Sequence, residues 1–117
     1  MAKASKTTHL SIVLPVFNEE EALPATMKEL YSVCNSLNKN YEIIFVDDCS
    51  RDRTPEILNE FVIKDPRIKV LRFSRNFGHQ AALSAGLDVA DGELVVTMDS
   101  DLQHPPRLIH EFIKHAE

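Results

Sequence analysis

Apolar and polar positions along this chain fall into blocks of two different periods. Four short runs have few polar breaks: Leu10-Ser11-Ile12-Val13-Leu14-Pro15, Tyr41-Glu42-Ile43-Ile44-Phe45-Val46, Ile68-Lys69-Val70-Leu71-Arg72-Phe73 and Glu93-Leu94-Val95-Val96-Thr97-Met98. Between them lie longer stretches whose apolar residues recur every three or four positions. Residues 20–37 carry such a stripe at Leu23, Met27, Leu30, Tyr31, Cys34 and Leu37, and residues 54–64 carry one at Ile57, Leu58, Phe61 and Val62. The runs predict strands and the stripes predict helices. A third helix is expected over about 78–89, through the small-residue stretch Ala81-Ala82-Leu83-Ser84-Ala85-Gly86, and a fourth over 106–115. Asn38-Lys39-Asn40 breaks the first helix, Asp91-Gly92 is a turn signal, and Asp52 or Thr54 suits the cap of the second helix, with Pro55 in its first turn.

The resulting β-α-β-α-β-α-β-α order, with strands apolar on both faces, predicts an α/β fold: a Rossmann-like open parallel sheet covered by helices on both sides. Right-handed crossovers leave few topologies, and strand order 3-2-1-4 is expected. Residues 1–8 read as a disordered tail and 9–117 as one domain. An apolar fraction of 44% with 26% charged residues over 117 positions fits a single soluble unit. No run approaches the ~20 apolar residues of a membrane span, and the polar, basic start lacks the apolar core of a signal peptide. A cytoplasmic location is expected, with Cys34 and Cys49 as reduced thiols. A net charge of −5 gives no reason to expect nucleic acid as a partner.

Chemistry collects where the strands end. In an open parallel sheet, ligands bind outside the carboxyl ends of the strands. Here those ends carry Pro15-Val16-Phe17-Asn18-Glu19-Glu20, Asp47-Asp48, Ser74-Arg75-Asn76 and Asp99-Ser100-Asp101. Two carboxylates two residues apart at a strand mouth share one side of the chain, and such a pair is stabilised by a cation between them. Asp99 and Asp101 therefore point to a hard divalent ion, Mg²⁺ or Mn²⁺, with Gln103 in phase to add a neutral oxygen. A carboxylate of Asp47 or Asp48 can accept a base N–H; alternatively one of them caps the second helix or pairs with Arg51 or Arg53. Glu19 near a helix start is favoured by the dipole in any case. The Arg75 fork suits a pyrophosphate; its other reading is a surface arginine near Asp88 or Glu93. Gly78 suits a tight strand-to-helix turn, and His79 and His104 read first as surface histidines.

Taken in order, Ile12-Val13-Leu14-Pro15-Val16-Phe17-Asn18-Glu19, Val46-Asp47-Asp48-Cys49-Ser50-Arg51-Asp52-Arg53-Thr54, Arg75-Asn76-Phe77-Gly78 and Met98-Asp99-Ser100-Asp101-Leu102-Gln103-His104-Pro105-Pro106 resemble the family 2 glycosyltransferases with the GT-A nucleotide-diphospho-sugar fold. The likeness runs from Leu10 to the end of the chain. The last two pieces most resemble the dolichyl- and undecaprenyl-phosphate sugar transferases, which move a sugar from a UDP or GDP donor to a lipid phosphate. The resemblance implies that Pro15, Phe17 and Glu19 line the nucleoside pocket and that Asp47 or Asp48 contacts the base. It implies that Arg75 and Asp99 contribute to nucleotide binding. Asp99, Asp101 and Gln103 would hold Mg²⁺ or Mn²⁺ with the donor pyrophosphate. His79 stands where such transferases often carry a lysine. The implied reaction is inverting transfer, at the cytoplasmic face of a membrane in full-length members.

Only about one helix of sequence follows the metal motif. The expectation is therefore a donor-binding half, with acceptor subsite and catalytic base outside this sequence, and with the fourth strand as an edge open to self-association. Three other readings compete: a non-catalytic nucleotide-binding or scaffold module, a receiver-like module, and a TOPRIM-like module. A receiver wants its acidic pair after the first strand rather than the second. A TOPRIM domain pairs a glutamate after its first strand with a D-x-D, which Glu19, Asp99 and Asp101 imitate loosely.

Overall fold

A computed structural model describes residues 8–37 and 39–98. The tail over 1–7, the helix expected over 106–115 and the segment holding Asp99, Asp101, Gln103 and His104 lie outside these residues. The described elements are β1 (Leu10–Val16), α1 (Leu23–Ser36), β2 (Tyr41–Asp47), α2 (Thr54–Lys64), β3 (Ile68–Arg72), α3 (His79–Val89) and β4 (Leu94–Thr97). The strands form one sheet in the order β3-β2-β1-β4, and every pairing is parallel.

Period-two alternation divides the side chains between two layers. Leu10, Ile12 and Leu14 of β1, with Ile43 and Phe45 of β2, pack against Leu23, Met27 and Leu30 of α1 and Leu58 of α2. The other face places Val13, Ile44 and Val46 under Ala82 and Ala85 of α3. β1 and β2 are the central strands, and all seven residues of each are buried. Each fully buried leucine or isoleucine there contributes about 1.5–3 kcal/mol. Cys34 is buried on the α1 side, where desolvation pushes its thiol up to about 12, so it is an inert core residue. Cys49 is half-buried, and both cysteines are free.

α1 starts at Leu23, the first apolar residue of its stripe and three residues past the start of the 20–37 stretch, with Pro24 in its first turn. The residues before it are held elsewhere: Glu20 exchanges hydrogen bonds with the loop before α2. The second helix has the bounds read from sequence, and Asp52 accepts the Thr54 N–H at 2.8 Å. At the amino edge of the sheet, a buried Glu42 closes the α3–β4 turn. Its carboxylate accepts the Asp91 N–H at 2.7 Å and faces Lys69 Nζ at 2.7 Å. Burial works to raise the Glu42 carboxyl, but the bonds from Lys69, Ser11 and Asp91 outweigh it and hold the group below its usual range.

The close seating of α3 depends on Gly86, where a Cβ would lie 2.3 Å from Val13 Cγ1 and 3.2 Å from Val46 Cγ2. Gly86→Ala is expected to lower the unfolding free energy by about 1–3 kcal/mol in urea titration, despite the better helix propensity of alanine. Adding Val13→Ala should return part of that loss. A Gly86→Ala chain as stable as the parent would show that α3 stands off the sheet.

Candidate functional site

Three loops meet at the carboxyl edge. The Asp48 N–H donates to Val16 O at 2.9 Å, carrying the β1–β2 ladder past the strand ends. From there the loop after β1 and the loop after β2 are laced together. The Asn18 N–H donates to Ser50 Oγ (2.8 Å), the Arg51 N–H to Asn18 Oδ1 (2.8 Å), and the Glu19 N–H to Thr54 Oγ1 (2.9 Å). The Glu20 N–H donates to Asp52 Oδ2 at 3.2 Å and the Arg53 N–H to Glu20 Oε1 at 3.2 Å. Short polar side chains thus take over backbone donors that the sheet no longer satisfies. Asn18 and Cys49 sit at φ values of 52° and 63°, a region asparagine tolerates and cysteine adopts only at some cost. Burial works to raise the Asp52 carboxyl, but hydrogen bonds from Thr54 and the Glu20 N–H hold it below its usual range.

Asp47 and Asp48 are both buried, and consecutive positions on a strand send them to opposite faces. Asp47 shares the face of Phe45 and accepts the Ser50 N–H through Oδ1 at 2.9 Å. Its Oδ2 is buried and receives no hydrogen bond; the Arg72 Nε lies 3.5 Å away. Arg72 is the register partner of Asp47 and also donates to Ser50 O at 3.3 Å. The ion pair expected with Arg51 or Arg53 is therefore made with Arg72, a residue the reading of the sequence passed over. Its signal was the position itself: a cation closing the third strand, in phase with Ile68 and Val70.

Asp48 turns toward α3. Its carboxylate accepts two consecutive backbone donors, the Phe77 N–H at 2.7 Å and the Gly78 N–H at 3.0 Å. Asp48 does not cap α2; it fastens the loop that follows β3. Gly78 adopts φ 99° at the N-cap of α3 with open space where a Cβ would stand, so its backbone conformation is what favours glycine. Arg75 is exposed, with its guanidinium carbon 4.6 Å above the centre of the Phe77 ring. Its placement beside Asp88 or Glu93 is replaced by this stack.

The other expected residues take separate positions on this edge. Pro15 is buried within β1, Phe17 is 44% exposed, Glu19 is half-buried and His79 is exposed. A groove of about 450 Å³ beside them is lined by Asn18, Glu19, Glu20, Glu21, Ala22 and Asp52. Met98 brings β4 to the same edge through its N–H bond to Val13 O at 3.0 Å. The next residue in sequence is Asp99. No group of three or more His, Cys, Asp or Glu side chains among the described residues is arranged to hold a metal ion, and Asp99, Asp101 and Gln103 lie outside them.

Comparison with known proteins decides the family. Residues 11–117 match glycosyl transferase family 2. The chain belongs to this family. It is 49% identical over 110 residues to the uncharacterized glycosyltransferase YkcC of Bacillus subtilis (strain 168), covering 94% of this chain and 34% of that protein. It is 40% identical over 118 residues to the undecaprenyl-phosphate 4-deoxy-4-formamido-L-arabinose transferase of Proteus mirabilis (strain HI4320), covering 100% of this chain and 36% of that protein. This family 2 chain thus spans about a third of the length of these relatives. Among solved structures, the mannosyltransferase PcManGT from Pyrobaculum calidifontis, in complex with GDP-Man and Mn²⁺, superposes with a TM-score of 0.70 at 23% identity, over 80% of this chain and 27% of that one. That likeness establishes the GT-A fold. S. aureus TarS 1-349 in complex with UDP-GlcNAc gives a TM-score of 0.58 at 29% identity, again over 80% of this chain and 27% of that one. Family membership sets aside the receiver-like and TOPRIM-like readings. No helix among the described residues is long and apolar enough to cross a membrane.

Arg72→Ala should leave a buried Asp47 carboxylate facing no cation and lower the unfolding free energy by about 1–3 kcal/mol in urea titration. Pairing it with Asp47→Asn should recover stability, since the uncompensated charge is then gone. An unchanged midpoint for Arg72→Ala would mean that the Ser50 N–H alone sustains Asp47.

Proposed function

We propose that the carboxyl edge binds the nucleoside diphosphate of a sugar donor together with a divalent ion, as the donor-binding part of a transferase that glycosylates a lipid phosphate. The observation that carries this reading is the convergence of the β1, β2 and β3 ends on one hydrogen-bonded surface in a family 2 glycosyltransferase chain. The sugar-nucleotide complex of TarS supports a UDP-type donor, and the arabinose transferase relatives support undecaprenyl phosphate or a similar polyprenyl phosphate as acceptor. A lipid acceptor places the transferase at a membrane, and a nucleotide-sugar donor places the site on the cytoplasmic face.

Roles follow from chemistry. Exposed Phe17 offers a ring face for a base, and Pro15 and Glu19, from the same strand end, would line the nucleoside pocket with it. The acidic pair Asp47-Asp48 closes β2 at this edge, and one of its carboxylates would accept a base N–H. Arg75 presents a planar fork to the diphosphate. The donor set Asp99, Asp101 and Gln103 consists of hard oxygens and fits Mg²⁺ or Mn²⁺, and these residues would hold the ion as β4 emerges at this edge. A bound ion would supply neutralisation of the charge that builds on the departing nucleoside diphosphate. The residues on this edge bind and orient the leaving group, and attack by the acceptor from the opposite face inverts the anomeric carbon.

Calorimetric and thermal-shift titrations with UDP, GDP and their sugars, with and without Mn²⁺, test the proposal. Metal-dependent binding of one nucleotide is expected, with stabilisation of about 2.7 kcal/mol at 100 times the dissociation constant. Asp99→Asn and Asp101→Asn should each abolish the metal dependence. Binding of no nucleotide under any condition would overturn the reading. Nucleotide binding that persists while a full-length protein shows no sugar transfer would favour a non-catalytic binding module.

A further inference from the structure

We infer that Glu42, at the amino edge, is a positioning residue for the metal motif at the opposite edge: by holding the α3–β4 turn it fixes the register of β4, and with it the place where Asp99 and Asp101 leave the sheet. This inference rests on the donor-site reading above. Glu42 is 4% exposed, and its carboxylate joins three segments. Oε2 accepts the Ser11 hydroxyl of β1 and, at 2.7 Å, the Asp91 N–H, while Oε1 faces Lys69 Nζ of β3 at 2.7 Å. Ser11 Oγ, its proton committed to Glu42, accepts the Gly92 N–H at 2.8 Å. Two consecutive backbone donors of the turn are thus held, one by β2 directly and one by β1 through Ser11. The approach is close: a Cβ on Gly92 would lie 2.6 Å from the Ser11 backbone nitrogen, so the turn seats against β1 only with glycine there.

β4 depends on such a hold because little else sets its register. It has four residues, pairs with β1 alone among the described residues, and none of the four is fully buried. Its face toward the α1 layer reads Leu94, Val96 and Met98. A slip of one residue would turn that face outward, and the apolar pattern forbids it. A slip of two would put Val96 where Leu94 stands and Met98 where Val96 stands, and the pattern accepts it. Two residues of strand are about 7 Å, enough to draw Asp99 back to the position of Thr97. An anchored end tells these registers apart. The Glu42 bonds anchor the amino end, from which the Leu94 N–H meets His9 O at 2.9 Å and the Met98 N–H meets Val13 O at 3.0 Å. Asp99 is the next residue in sequence. A turn carried along by a slipped strand would leave a buried carboxylate short of N–H donors, which makes the native register the favoured one.

Calorimetric titration of UDP and GDP with and without Mn²⁺, beside amide hydrogen exchange by NMR, tests this on the parent chain, Glu42→Ala, Ser11→Ala and Leu58→Val. Glu42→Ala should cut the gain in nucleotide affinity that Mn²⁺ confers by about tenfold, because ligands shifted from their set positions lose affinity steeply, and should change the metal-free affinity less than about twofold. Its Met98 N–H, at the far end of β4, should exchange at least about tenfold faster. Ser11→Ala removes the link to Gly92 and leaves the carboxylate in place; it should cut the Mn²⁺ gain by about threefold, and it decides the matter even if Glu42→Ala unfolds. Leu58→Val thins the core beneath α2 and leaves the turn alone, so it should lower stability without touching the Mn²⁺ gain. Glu42→Ala and Ser11→Ala chains that keep the full Mn²⁺ gain, or a Leu58→Val chain that loses it equally, would overturn the assignment while leaving the donor site intact. A parent chain whose nucleotide binding gains nothing from Mn²⁺ would overturn the donor-site reading and the assignment with it.

Discussion

Asp47 and Asp48 are carried to the end of a strand that is buried on both faces, and a carboxylate in such a place is stable only where N–H groups or cations come to meet it. Those partners come from three different segments. Ser50 supplies an N–H from the loop after β2, Arg72 supplies charge from the end of β3, and Phe77 and Gly78 supply N–H groups from the entry to α3. The loop after β1 is then bound to the same group through Ser50 Oγ and Thr54 Oγ1. A charge requirement at two adjacent positions therefore orders a surface assembled from loops that have no regular secondary structure of their own.

The two ends of the sheet handle buried charge differently. At the amino edge, Asp65 is matched by Arg67 and Tyr31, and the hydrogen bonds from Arg67 hold its carboxyl down to about 2. A groove of about 610 Å³ lies there, and Asp65 and Arg67 in its wall satisfy one another. At the carboxyl edge, matching is incomplete: Asp47 retains an acceptor without a donor, Arg75 is held by a ring, and Phe17 is exposed. The Phe17 ring and the Arg75 guanidinium are what this edge exposes to the proposed ligand.

Element order and sheet order were legible because period-two runs and 3.6-residue stripes respond to burial, and burial is strong in β1, β2 and α1. The 20–37 stretch began three residues before α1 because Glu20 is drawn to the loop before α2 by a contact 33 positions away in sequence, which local periodicity does not reveal. The placement of the acidic pair at the carboxyl edge was readable from its position after a strand. Its partners were not, since pairing Asp47 with Arg72 requires the β2–β3 register, and pairing Asp48 with Phe77 and Gly78 requires the path of the loop before α3. The placement of Arg75 has the same dependence: the stack on Phe77 is an i, i+2 contact in an irregular loop, which no periodic pattern encodes.

The central proposal is that a nucleoside diphosphate with its metal binds at the carboxyl edge. Backbone amide NMR of the ¹⁵N-labelled chain, titrated with UDP or GDP and Mg²⁺, tests it most directly. The account predicts shift changes concentrated at Phe17–Glu20, Asp47–Thr54 and Arg72–His79, and continuing into residues 99–103. Changes centred on Tyr31, Asp65 and Arg67 at the opposite edge, or no changes at saturating ligand, would contradict it.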